Sequence, residues 1–153
     1  MVSFISEDIS ATLKGKRIIS GWFNKVLTDN GLQAGEINII FCSESYLLNL
    51  NRESLSHNYH TDIITFNYRE DYIVSGDLFI SLPMVKSNSE KYPQLFSPNF
   101  ECELCRVMIH GILHIIGYDD VTPYKKKKMR QAENEALMLL EKEFSEGRIS
   151  VSF

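Results

Sequence analysis

The sequence predicts an α+β domain: a small mixed β-sheet covered by helices, with the chemistry-bearing helix in the second half. Three observations predict it. Short runs rich in isoleucine and phenylalanine (EINIIFC, DIITFNY, GDLFISL) crowd the first half and read as strands. Apolar residues at three-four spacing lie before, between and after them. The second half reads almost wholly as helix. A chain of 153 residues, 44% hydrophobic and 24% charged, fits one domain spanning 1–153, and at that length roughly two-thirds of the unfolded surface can be buried.

In order along the chain, Ile18, Ile19, Trp22, Phe23, Val26 and Leu27 mark one face of a helix over 16–31, stopped at Asn30-Gly31, where glycine accepts a left-handed conformation. Glu36–Cys42 is the first strand. Ser43 can cap a short helix over 43–52, in which Tyr46, Leu47 and Leu50 share a face. Asp62–Tyr68 and Gly76–Leu82 are two further strands, joined as a hairpin across Arg69–Ser75. A helix over Glu101–Ile116 is apolar on all but a narrow stripe, along which Glu103, Arg106, His110, His114 and Gly117 fall. The last helix, Pro123–Phe144, has Thr122 as cap and Pro123 in its first turn, and turns Met129, Ala132, Ala136, Leu140 and Phe144 to the core. No internal repeat or low-complexity tract interrupts this order.

Composition narrows the function. With 16 basic against 20 acidic side chains and a net charge of −4, the chain lacks the overall positive field of a non-specific polyanion binder. Positive charge is local, in Lys125–Lys128 and Arg130, and a solvated helix face is the default reading of that run. No apolar run approaches the roughly 20 residues a bilayer requires, and the start MVSFISEDISATLKGK lacks the order of a signal peptide. The expectation is a cytoplasmic protein with no membrane partner. Cys42, Cys102 and Cys105 form no even disulfide framework, and Cys102-x-x-Cys105 on an apolar helix reads as core.

The chemistry concentrates in HGILHIIGYDD, residues 110–120. His110 and His114 are four apart, so both imidazoles leave the same helix face roughly 6 Å apart and can reach one ion. Gly117 stops the helix and lets the chain turn back with a carboxylate as third ligand. Both Asp119 and Asp120 are available, and spacing favours Asp120. The plain alternative is a pair of histidines satisfied by buried hydrogen bonds. His57 and His60 lie in a polar stretch and read as loop histidines outside the site.

The pattern His110-Gly111-x-Leu113-His114-x-x-Gly117-Tyr118-Asp119, with Thr61-Asp62-Ile63-Ile64-Thr65-Phe66 and Gly76-Asp77-Leu78-Phe79-Ile80, resembles the YbeY family of metal-dependent endoribonucleases, across roughly residues 36–140. The resemblance implies one divalent ion, Zn2+ foremost, held by His110, His114 and Asp120. It also implies single-strand-specific RNA cleavage by metal-activated water in ribosomal RNA maturation and ribosome quality control, with ribosomal RNA or the small ribosomal subunit as partner.

Two departures stand out. The family's usual third ligand is histidine where this chain has Asp120, and a carboxylate makes bound water less acidic and suits manganese or magnesium better. The family's Tyr-Arg pair before Thr-Asp falls on Ser54 and Leu55, leaving Arg52, one turn earlier, as a candidate phosphate contact. Two alternatives remain at this point. One is a non-catalytic ribosome-assembly factor with a structural metal. The other is a metallopeptidase, against which Gly111 stands where His-Glu-x-x-His requires its glutamate.

Overall fold

Alternation along the strands decides how the sheet is covered. The structure, a computed structural model, describes residues 1–92, 99–144 and 148–153. Four strands, β1 (Val2–Ser6), β3 (Gln33–Cys42), β5 (Ile73–Ser81) and β4 (Ile63–Asn67), form a mixed sheet in the order β1-β3-β5-β4. β1 and β5 pair with β3 in parallel, and β4 pairs with β5 as an antiparallel hairpin. A separate ribbon joins β2 (Thr12–Lys14) to β6 (Ser150–Ser152).

Ile37, Ile39 and Phe41 of β3 and Val74, Leu78 and Ile80 of β5 enter the main core, against helices α1 (Lys16–Asp29), α4 (Phe100–Ile116) and α5 (Pro123–Glu143). The next residue in register, Cys42, turns to the opposite face, where Ile64, Phe66 and Phe79 meet Tyr46, Leu47 and Leu50 of α2 (Glu44–Leu55). Phe79 stacks on Tyr46 at 6.2 Å and meets Phe66 edge-on at 5.7 Å. Trp22 and Phe23 of α1 are fully buried, each contributing about 1.5–3 kcal/mol by removal from water. The Trp22 indole donates to the Ala136 carbonyl at 2.8 Å, tying α1 to α5.

The predicted caps form as expected: the hydroxyls of Ser43 and Thr122 accept from the amides of Tyr46 and Lys125. Gly31 closes α1 at φ +71°. The structure adds elements the sequence reading left out: β1, the β2–β6 ribbon, and α3 (Leu82–Lys91). The third predicted strand is displaced, running Ile73–Ser81 rather than 76–82, because Ser81 caps α3 by accepting from the Met84 amide and Leu82 is already helical. Its earlier start shortens the hairpin turn, with Asp71 at φ +55° and a Glu70–Ile73 bridge.

Cys42, Cys102 and Cys105 are free thiols. Burial pushes the Cys42 and Cys105 thiols up to about 12, so they remain protonated and inert, as core residues. Among the described residues no helix is long and apolar enough to cross a membrane.

Candidate metal centre

α4 is the central helix, packed between the sheet and α5, and its polar stripe has two parts. At the amino-terminal end the stripe is not open, as a cleft lining would be: Glu103 and Arg106 are 9% and 4% exposed, and Arg106 is held against α5 by Glu133 and Asn134. One and two turns later His110 and His114 emerge, half-buried, into an open cleft of about 600 Å3.

Gly117 ends α4 at φ +130°, and the amide of Tyr118 reaches back to the Leu113 carbonyl at 3.0 Å. That turn decides between the two aspartates. Asp119 faces away, its carboxylate accepting from the Val121 amide at 3.2 Å and the Lys125 ammonium at 3.0 Å. Asp120 points inward, with Oδ2 3.6 Å from His110 Nε2 and Oδ1 3.8 Å from His114 Nε2.

The two Nε2 atoms are 3.0 Å apart, and one ligand atom from each of His110, His114 and Asp120 lies within 4.8 Å of the others. Nitrogens bound at 2.0–2.1 Å to one tetrahedral zinc stand roughly 3.3 Å apart. The donor set and its spacing therefore fit a single divalent ion, and no other such cluster occurs among the described residues.

Behind the candidate ligands lies a buried charge network. His110 Nδ1 donates to Glu133 Oε2 at 2.7 Å, and Glu133 Oε1 accepts from Arg106 Nη1 at 2.5 Å. Arg106 also donates to Asn134 Oδ1 at 3.0 Å. Burial pushes the Glu133 carboxyl up, but the His110 hydrogen bond and charge, followed by Arg106 and Arg130, outweigh it and hold it below the usual range. An ionised carboxylate only accepts, so a proton sits on His110 Nδ1, and Nε2 is the atom turned to the cluster. For His110, burial pushes down and Glu133 pushes up more strongly, leaving its pKa raised. His114 is lowered by burial and by the nearby His110, which disfavour its charged form.

Sequence reading missed Glu133. A signal was present: Met129, Glu133 and Ala136 are buried on one face of α5, and a carboxylate on a core-facing stripe calls for a partner. Asp62, of the Thr61-Asp62 motif, lines the cleft, where burial raises its carboxyl against the lowering effect of His110. Arg52 is exposed and donates to Asn58. The cleft is lined instead by its neighbour Asn51, together with Leu55, His57 and Tyr59. The Lys125–Lys128 run is solvent-facing, but Lys126 and Arg130 line a smaller hollow of about 220 Å3 that shares His110 and Asp120 with the cleft.

Packing explains Gly111. A Cβ there would lie 2.6 Å from Leu78 Cδ2 and 3.0 Å from Ile63 Cδ1, so this face of α4 rests directly on the sheet and leaves no room for the glutamate of His-Glu-x-x-His. Gly111→Glu is expected to cost more than about 4 kcal/mol, by overpacking and by burial of a charge, read as loss of the folded baseline in a thermal melt; a near-native melt would refute this packing.

Comparison with known proteins agrees with this architecture. A family profile described as Endoribonuclease YbeY matches residues 2–141. A relative of that name from Parabacteroides distasonis is 42% identical, over 93% of this chain and 97% of its own. Another from Phocaeicola vulgatus is 44% identical, over 92% and 99% respectively. A protein from Thermotoga maritima, solved in solution, shares the fold with TM-score 0.64 at 24% identity, covering 95% of this chain and 93% of its own. With the family match extending over nearly the whole chain and from strand β1 through α5, the protein belongs to the YbeY endoribonuclease family.

Proposed function

We propose that this protein is a metal-dependent endoribonuclease that cuts single-stranded RNA, with Zn2+ as the expected ion and His110, His114 and Asp120 as its ligands. The substrate class follows from the family, and ribosomal RNA processing and quality control in the cytoplasm on the small subunit is the proposed setting. The observation that carries the reading is the three-ligand cluster in an open cleft, with Glu133 orienting His110 from behind.

A divalent ion held there supplies Lewis acidity, lowering the pKa of water and offsetting charge that develops on phosphate oxygens. The chain's own groups do the rest. Glu133 orients His110 through Nδ1, the surroundings of His114 disfavour its charged form, and the Gly117 turn delivers Asp120 while Lys125 holds Asp119 out of the way. The cleft's openness leaves room for an extended strand to cross the cluster.

The test is a count and an assay on one preparation. Purified protein is expected to hold about one ion per chain and to cut unstructured RNA. Chelation is expected to abolish cleavage, and added Zn2+ or Mn2+ to restore it. Stoichiometric metal with no cleavage of free RNA or of ribosomal particles would replace the nuclease reading with that of an RNA-binding assembly factor.

A further inference from the structure

Between α2 and β4 the chain carries an aromatic pair with no packing role. Tyr59 is 56% exposed and His57 is exposed as well. Their rings are stacked, centroids 5.2 Å apart and planes 21° from parallel, and the Tyr59 hydroxyl is 3.0 Å from His57 Nδ1.

The pair is anchored. The Tyr59 carbonyl accepts from Asn51 Nδ2 at 2.9 Å, and the His57 amide donates to the Asn51 carbonyl at 3.1 Å. Asn51 itself is 1% exposed, so a single buried residue fixes the backbone beneath both rings. Rigid, exposed aromatic surface of this kind suits a ligand with a flat π-face.

Its position says which ligand. His57 and Tyr59 line the same cleft as His110, His114 and Asp120. The second hollow meets that cleft at His110 and Asp120 and carries Lys126 and Arg130. A strand crossing the ligand cluster therefore meets aromatic rings on one side and cationic side chains on the other.

We propose that Tyr59, backed by His57, is a stacking platform for one unpaired nucleobase of an RNA strand whose adjacent phosphate lies at the His110–His114–Asp120 cluster. This inference rests on the nuclease reading and deepens it. A base inside a duplex already has both faces covered, so the platform selects single strands. Stacking of one base on an aromatic side chain changes affinity by about 5- to 150-fold.

The experiment mixes metal-loaded protein in a stopped-flow instrument with short single-stranded RNAs carrying 2-aminopurine at successive positions, reading fluorescence before cleavage. Wild type is expected to quench strongly at one position near the cut. Tyr59→Ala is expected to lose that quench and to lower kcat/KM at least about fivefold, with metal content, melting temperature and the salt dependence of binding unchanged, because no phosphate contact is lost. Tyr59→Phe keeps the ring and is expected to retain the quench. Tyr59→Ala that keeps both quench and kcat/KM, beside a wild type that binds and cuts, overturns the platform alone. A wild type that neither binds nor cuts RNA overturns the nuclease reading and the platform with it.

Discussion

His114→Ala is expected to lose both the bound ion and RNA cleavage while keeping its fold. The side chain is 31% exposed and contributes one of three donor atoms in the cluster. Two remaining donors, His110 and the half-exposed Asp120, do not hold an ion against solvent, since structural and catalytic zinc sites use at least three protein ligands. The several kcal/mol of charge stabilisation an ion provides to a phosphoryl reaction then disappear, which corresponds to a fall in rate of at least roughly 10³-fold. The backbone of α4 is set by its apolar faces, so circular dichroism and the melting temperature of the metal-free protein should change little. Full cleavage by a metal-free His114→Ala preparation would place the active centre elsewhere.

Glu133→Leu is expected to have the next largest effect, and on two measurements at once. It removes the shared partner of Arg106 and His110 in a region where Arg106 is 4% exposed. Breaking a buried pair from one side costs about 3–5 kcal/mol, and the Asn134 bond to Arg106 places this case near the low end. For a chain of this length that lowers the melting temperature by roughly 6–12 °C.

Metal affinity should fall about 10- to 100-fold, as for the loss of other carboxylates that orient a ligating imidazole. The double variant Arg106→Met/Glu133→Leu separates the two effects: an apolar pair of similar volume should recover most of the stability and none of the metal affinity. Recovery of both would show that Glu133 acts only through packing.

The same residue gives a pH signature. Its folded pKa lies below the unfolded carboxyl's, so its contribution is in force above about pH 4.3 and is lost as pH falls through the folded value. Glu133→Leu should therefore flatten that part of the acid side of the stability profile.

Much of this architecture is legible in the sequence, and the illegible parts share a cause. α1, α2, α4 and α5 announce themselves through periodicity and caps, both local properties. β1 does not, because a five-residue edge strand is defined by parallel pairing with β3, from Val2↔Ile37 to Ser6↔Phe41. The boundary between β5 and α3 is hidden because Leu82 continues the apolar run of the strand while already belonging to the helix. Likewise, the three candidate ligands fall within eleven consecutive residues and one turn, whereas Glu133 reaches His110 from a different helix, 23 residues on. Local geometry is written locally; tertiary hydrogen bonding is not.

The dependence of His110 on α5 also has a temporal side. During synthesis the sheet strands from β1 to β5 and α4 precede α5 in the chain, so a nascent polypeptide can carry His110, His114 and Asp120 before the carboxylate that orients His110 exists. Trp22 cannot bond to Ala136, nor β2 to β6, until the same late stage. A chain that emerges vectorially thus acquires the oriented His110 only after α5 has followed α4 out and packed against it.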